Sequence, residues 1–368
     1  MLSLLLLLLS LIVIVMIIFV SYTLVYYYYS KKGTIKPGKK VFPKATLIIA
    51  VYNEEMVLKK KIENTSKINY PKDKLEVIFL NDYSIDKSLE IIKKETKNFP
   101  FKFKVVNNKQ EKGKPGALNY LLPKIKSEIT FVTDSDSLIK EDALKILVQD
   151  FQDEMVGATN AQINILKPGE SKETYKEEKD YRFFYNIWRK GESNLDSVSI
   201  CNGPLMAFRT KLLTGVKLSS SVDDTELIFS IIKKGFRVVY NSQAIVYEVT
   251  PTNYLERTTQ KMRRARGLIH VYLKNMDLLG KRNFGKIVLP YAILTHVVSP
   301  YLVFFGTLIY FFILFKINLS FLTLGFFLIP KLGPFARSFI STQIIMAISP
   351  FFAKGWNTAK SSRAELTK

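Results

Sequence analysis

The chain has 368 residues, room for one large or two modest domains, and it is 48% hydrophobic with a slightly positive mean hydropathy. Its single cysteine, Cys201, excludes an intramolecular disulfide and a thiolate zinc cluster. The two histidines, His270 and His296, lie far from every acidic motif, so carboxylates must supply any acid–base chemistry. The net charge of +22 fits anionic lipid or a polyanionic substrate. The lysines are scattered among acids rather than interleaved with aromatics in one strip, which disfavours nucleic acid.

Residues 2–25 are almost purely apolar, long enough to cross a bilayer, with neither a basic start nor an Ala-x-Ala cleavage site. Residues 1–29 are therefore expected to be a retained span. Tyr26 to Tyr29 suit an interfacial belt, and Lys31, Lys32, Lys36, Lys39, Lys40 and Lys44 suit the cytoplasmic side. From residue 45 strands and helices alternate. Strands are expected at 46–51, 75–80, 101–106 and 129–133. Helices are expected at 54–67, 84–97 (capped by Ser84 or Asp86), 115–125 and 141–151. That order implies a mostly parallel sheet covered on both faces, with ligands at the carboxyl ends of its strands.

The second half mixes a strand at 157–166, a charged aromatic helix at 170–190 and an apolar stretch at 200–208. A helix at 222–233, short strands at 236–240 and 244–249, and a basic helix at 253–276 follow. Residues 287–315 and 335–352 can span a membrane, while 317–329 is short for a span. A cytoplasmic basic tail at 355–368 requires an even number of crossings after the soluble part. The expected organisation is a span at 1–29, a catalytic domain at 45–267, an interfacial segment at 268–286, spans within 287–354, and the tail.

Four polar clusters follow strands or open helices. Asp134-Ser135-Asp136 ends an apolar strand with two acids one residue apart. Residues i and i+2 of an extended chain point the same way, so this is either a solvated turn or a site for a hard divalent cation. Tyr52-Asn53-Glu54-Glu55 either reads a nucleobase or ribose, or caps a helix. In Asn81-Asp82-Tyr83-Ser84-Ile85-Asp86, Asp82 is the candidate ligand contact and Asp86 the cap. Residues 112–119 are basic and glycine-rich ahead of a helix, which lets backbone N–H groups and Lys114 approach a phosphate. They do not form a Walker loop.

Asp223-Asp224-Thr225-Glu226 opens a helix. The macrodipole favours acids there, and one of these carboxylates is the best candidate for a general base acting on a hydroxyl. The basic run at 260–267 either lies on anionic lipid or uses Arg263 to hold a pyrophosphate leaving group.

In combination, these motifs resemble the membrane-integrated family-two glycosyltransferases of the GT-A fold, which include cellulose, chitin and hyaluronan synthases. The resemblance covers residues 46–267. It implies an α/β, Rossmann-like mixed sheet with transmembrane helices at both ends, in a cell-membrane protein whose catalytic domain is cytoplasmic. It implies Mg2+ or Mn2+ on Asp134 and Asp136. Donor contacts would come from Tyr52, Asn53, Glu54, Asp82, Lys114, Asp134, Gln260 and Arg263.

In the same resemblance Asp224 is the catalytic base, and Cys201, Asn202, Gly203, Asp223 and Arg264 lie on the acceptor side. The donor would be a nucleotide sugar, UDP-linked, and the acceptor a hydroxyl of a lipid-linked or saccharide molecule, with inversion at the anomeric carbon. Asn81 stands where the family often has aspartate. Arg264 stands where processive polymerases of the family carry the tryptophan of Gln-x-x-Arg-Trp, which argues against processive synthesis. The alternatives are a polyprenyl-phosphate sugar synthase and a catalytically silent membrane scaffold of the same fold.

Overall fold

The structure, a computed structural model, describes residues 1–33, 41–166, 172–201, 203–214, 218, 222–249, 253–317, 332–351 and 360–367. Its centre is an eight-stranded mixed sheet. The strands are β1 (Ala45–Val51), β2 (Leu75–Asn81), β3 (Lys102–Asn107), β4 (Ile129–Asp134), β5 (Ser137–Ile139), β6 (Val156–Ile165), β7 (Leu205–Arg209) and β8 (Arg237–Glu248). Their order is β3-β2-β1-β4-β7-β6-β8-β5. The first four run parallel, and β7 pairs antiparallel with both β4 and β6.

β1 and β2 are near-continuous apolar runs because both of their faces are covered. Leu47, Ile49 and Val51 of β1 face one core, which is packed by α2 (Leu58–Ser66), α3 (Ser88–Glu95) and α5 (Ala143–Asp150). Ile48 faces the other, with α4 (Lys114–Leu121), α7 (Asp223–Lys233) and α8 (Tyr254–Lys274). The register pairs Val51 with Asn81 and Ala50 with Asp134, so β1, β2 and β4 end level with one another. The chain leaves β1 for β2 on one side and returns to β4 on the other. That switch point opens a crevice at the carboxyl edge.

Helix α1 (Leu2–Ser30) and a continuous helix α9 (Phe284–Lys316) are long and apolar enough to cross a membrane. Helix α10 (Leu332–Ile348) follows, and α11 (Lys360–Thr367) ends the described chain. The apolar stretch at 317–329, read as short for a span, falls outside the described residues save for residue 317. The far end of α1 packs on α6 (Lys172–Leu195). A Cβ added at Gly191 would lie 2.2 Å from the Tyr26 carbonyl oxygen, so the two backbones touch where only glycine fits. Beside that contact, the Arg189–Glu192 ion pair (2.7 Å) is shielded from solvent and bonds the Tyr22 hydroxyl, which lies 2.9 Å from Arg189 Nη2 and 3.2 Å from Glu192 Oε1.

Four elements differ from the sequence expectation. Helix α2 begins at Leu58 rather than residue 54, and α3 at Ser88 rather than 84. The intervening residues bind the two loops to each other. Asn53 N–H donates to Ser84 Oγ (3.1 Å), Ile85 N–H to Asn53 Oδ1 (2.9 Å), and Glu55 N–H to Asp86 Oδ2 (3.0 Å). Asn53 and Tyr83, just ahead of the expected helix starts, take positive φ, 52° and 58°. The N-cap of α3 is Lys87 rather than Ser84 or Asp86; Asp86, one residue before it, accepts from Ser88 N–H at 3.0 Å. The two short strands expected at 236–249 are one strand, β8, with an irregularity opposite Ala161 and Gln162 that absorbs its turn-like Asn241-Ser242-Gln243. β5, a short strand after the Asp134–Asp136 turn, was not expected.

Candidate active site

The β4–β5 turn carries Asp134 and Asp136 at the switch point, and three buried groups fix it. Ser135 donates its hydroxyl to the Ala50 carbonyl of β1. Thr133 Oγ1 donates to Pro204 O at 2.6 Å. Beneath the turn, Lys61 Nζ donates to Thr133 Oγ1 (3.0 Å), Ser137 O (2.7 Å) and Ser137 Oγ (3.2 Å). Burial pulls Lys61 down to about 7, against the charges of Asp134 and Asp136. Lys61 escaped the sequence reading because it sits in a Lys59-Lys60-Lys61 run. Its position on the Leu58, Ile62 and Thr65 face of α2 was the available signal.

Lys114, at the start of α4, reaches across the crevice to two acids. Its Nζ is 2.7 Å from Asp134 Oδ1 and 3.3 Å from Asp223 Oδ2. The loop before it is drawn in by Asp82, whose oxygens accept from Asn108 Nδ2 and from Gly113 N–H, each at 2.8 Å. Gly113 has φ 118°, where a side chain would be strained. Burial disfavours the Lys114 charge, but Asp134 and Asp223 outweigh it and hold the ammonium well above the ordinary lysine value.

Gly203 marks the meeting point. A Cβ added there would lie 3.3 Å from Asp134 Oδ2, 3.3 Å from Asp224 Oδ2 and 3.7 Å from Lys114 Nζ. Asp224 and Asp223 stand in the first turn of α7, and Asp224 Oδ1 accepts from Thr225 N–H at 2.7 Å. Burial, then the neighbouring Asp223 charge, raise Asp224 to about 6, while Lys114 pulls it down. The close approach of Gly267 in α8 to Val222 brings the basic helix against this turn. Arg263 there is held below its usual value by burial and by Arg264, against Asp223, Asp224 and Asp134. Arg264 is half-exposed, with Nη2 3.7 Å from Glu248 Oε1 at the end of β8. Gln260 is half-buried on the same helix.

The remaining sequence candidates separate. Glu54 is buried beside the turn, and burial lifts its carboxyl to about 7; Arg363 opposes that rise and Asp136 adds to it. Arg363 was missed, because 309 residues separate it from Glu54 and it lies in a tail that reads as solvated. The Tyr52 ring lies 4.6 Å from Lys112 Nζ. Asn53 is engaged in joining the loops, as described above. Cys201 is packed in the hydrophobic core, and Asn202 lies outside the described residues.

Asp134 and Asp136 fit a hard divalent cation. Burial and then the charge of Asp134 push Asp136 up, while against burial Lys114 holds Asp134 below its ordinary value, and the oxygen donors of the pair suit Mg2+ or Mn2+. Among the described residues no group of three or more His, Cys, Asp or Glu side chains surrounds one point, so a bound cation would take its other ligands from water or substrate.

This mixed α/β sheet with acids at its switch point is a GT-A-like domain. Residues 43–267 match the glycosyltransferase-like family 2, and the chain belongs to that family. A probable glycosyltransferase, YdaM, of Bacillus subtilis (strain 168) is 26% identical over 277 residues, covering 73% of this chain and 65% of that protein. The β-monoglucosyldiacylglycerol synthase of Nostoc sp. (strain PCC 7120) is 28% identical over 249 residues, covering 66% of this chain and 53% of that protein. The chain thus spans between half and two-thirds of the length of these curated relatives. The mannosyltransferase PcManGT of Pyrobaculum calidifontis, solved with GDP-Man and Mn2+, shares the fold with a TM-score of 0.79. It is 24% identical, and the match covers 94% of this chain and 99% of that one.

Proposed function

We propose that the protein is a membrane-bound, metal-dependent, inverting glycosyltransferase that moves a sugar from a nucleoside-diphosphate donor to an acceptor hydroxyl. The observation that carries this reading is the convergence of Asp134, Asp224 and Lys114 on Gly203 at the switch point. One acid there faces a fixed cation, and the other has a proton affinity raised enough to accept a proton near neutrality.

Asp134 and Asp136 would hold Mg2+ or Mn2+, which supplies charge neutralisation to the donor's diphosphate. Lys114 and Arg263 bind the phosphate oxygens and stabilise the charge that builds on the departing group. Asp224 takes the proton from the acceptor hydroxyl. The acceptor oxygen then forms a bond to the anomeric carbon, the bond from that carbon to the phosphate oxygen breaks with its electron pair, and the nucleoside diphosphate leaves. A single displacement inverts the anomeric configuration, so an α-linked donor yields a β-linked product. Two named relatives, the β-monoglucosyldiacylglycerol synthase and the poly-β-1,6-N-acetyl-D-glucosamine synthase of Staphylococcus aureus, carry β-products in their names, in line with this outcome.

The acceptor in this reading is a lipid-linked or saccharide hydroxyl, and the donor a UDP-sugar. Arg264, paired with Glu248, offers no aromatic platform for a growing polymer, which supports single transfer over processive synthesis. The apolar helices α1 and α9 support membrane integration. The contact of α11 with Glu54 supports a tail on the same side as the catalytic domain, and so an even number of crossings between them. The test is a panel of radiolabelled UDP- and GDP-sugars given to membranes containing the protein, followed by organic extraction. A labelled lipid or saccharide that disappears with Asp224→Asn supports the reading. No incorporation from any donor, with the wild-type protein folded and Mn2+ present, overturns it.

A further inference from the structure

Helix α11 returns to the catalytic domain from the far end of the chain and docks at the edge where the site lies. Arg363 meets the Glu54 carboxylate with two parallel bonds, Nε to Oε2 at 2.6 Å and Nη2 to Oε1 at 2.5 Å. Both side chains are only 9% exposed. A planar guanidinium meeting a carboxylate in this fork is the strongest and most directional ion pair a protein makes. One turn on, Leu366 is buried against Val57 and Val249, with Leu138 of β5 alongside. Its carbonyl accepts from Lys60 Nζ at 2.6 Å. The helix is thus held at three points: an ion pair, an apolar plug and a capped carbonyl.

The position of that helix gives it a role. Glu54 follows β1, and its backbone N–H is fixed to Ser88 Oγ at 2.8 Å. The charge of Arg363 bears on Asp136 and Asp134 as well as on Glu54. The site therefore draws cationic charge from two sides, Lys114 on the α4 side and Arg363 on the α11 side.

We propose that α11 is a wall of the donor site and that Arg363 is a positioning residue within it, holding Glu54 in place and adding positive charge beside the Asp134–Asp136 turn where a nucleoside diphosphate binds. This rests on the donor-site reading above. It makes the C-terminal tail a working part of nucleotide binding rather than a membrane-surface appendage.

The experiment uses the full-length protein in detergent and measures binding of UDP and of GDP by calorimetry, with Mn2+ and with chelator. The variants are Arg363→Ala, Arg363→Lys, Leu366→Asp and Asp136→Ala, each checked by thermal melting. Arg363→Ala is expected to weaken Mn2+-dependent binding by about tenfold or more, since it removes a charge-assisted bidentate pair. Arg363→Lys should recover part of that affinity, because lysine restores the charge but not the fork. Leu366→Asp, which keeps the arginine but undocks the helix, should match the alanine variant.

Wild-type affinity in both Arg363→Ala and Leu366→Asp overturns the proposal, and tighter binding in either would make α11 an obstruction instead of a wall. Asp136→Ala separates the two levels. If it abolishes binding while Arg363→Ala does not, only this inference falls. If Asp136→Ala also binds normally, the donor-site reading falls with it.

Discussion

Asp224 stands between two neighbours that pull its proton affinity in opposite directions, and this makes its role testable by sign. Burial and then Asp223 raise its carboxyl from 3.8 to about 6, and Lys114 works against them. A base titrating near 6 is about nine-tenths ionised at pH 7, so kcat/KM should fall on the acid side through about pH 6 with a slope of one proton. Asp223→Asn removes a charge that raises the value, and the acid limb should move down. Lys114→Met removes a charge that lowers it, and the limb should move up. Burial is the larger cause and persists in both variants, so each displacement should be on the order of 0.5–1 pH unit. Asp224→Asn should cut turnover by roughly 10²–10⁴ and abolish the limb. The assay is the pH profile of kcat/KM between pH 4.5 and 8.5, read for the position of the limb rather than its height, since Lys114→Met also weakens donor binding. Limbs that coincide with wild type in both neighbours' variants, or an active Asp224→Asn, would refute the assignment of Asp224 as the base.

Gly203→Ala places a methyl 3.3 Å from both Asp134 and Asp224 and should lower kcat by about 10²-fold with little change in melting temperature, because a misplacement near 1 Å is that costly to chemistry. Normal kcat in this variant would mean that the space beside Gly203 is not where reactants meet. Asp136→Ala should abolish the Mn2+-dependent part of nucleoside diphosphate binding while leaving any metal-independent part, as titrations with and without chelator would reveal. Lys61→Met should destabilise the fold by about 1–3 kcal/mol through the buried acceptors it leaves unpaired. It should also weaken Mn2+ binding by loosening the turn; a melting curve and a metal titration check the two effects separately.

The parts of the fold legible in the sequence are those that local pattern controls. β1, β2 and β4 are buried apolar runs that end in or run into polar residues, and their level ends put Asn53, Asp82 and Asp134 on one edge as the alternation implied. Helix starts were legible only where no distant group competed for the backbone. Residues 54–57 and 84–87 look helical alone, yet each loop's donors are taken by the other, which no local pattern records. β8 reads as two strands because Asn241-Ser242-Gln243 looks like a turn, and only pairing with β6 carries the strand through it. At the site, acids next to strands stood out by contrast with their surroundings. The cations that answer them did not, since Lys61 and Arg363 sit among many lysines and arginines and are marked only by where the chain places them.

The seam between α1 and α6 bears on how this protein can be handled and how it can be shed. Trimming the first thirty residues, the usual way to obtain a water-soluble catalytic fragment, would strip Tyr22 from the solvent-shielded Arg189–Glu192 pair and open the trough that Gly191 leaves for Tyr26. Both members of the ion pair remain, but each lost hydrogen bond from Tyr22 to a charged group is worth about 1.5–3 kcal/mol, a sizeable part of a domain's whole stability. The far end of α1, at Tyr22 and Tyr26, is therefore part of the domain's core, while most of the apolar side chains before it stay exposed. Cleavage at Ser30 is therefore expected to destabilise the domain rather than free it intact, which a melting curve of the trimmed protein would check.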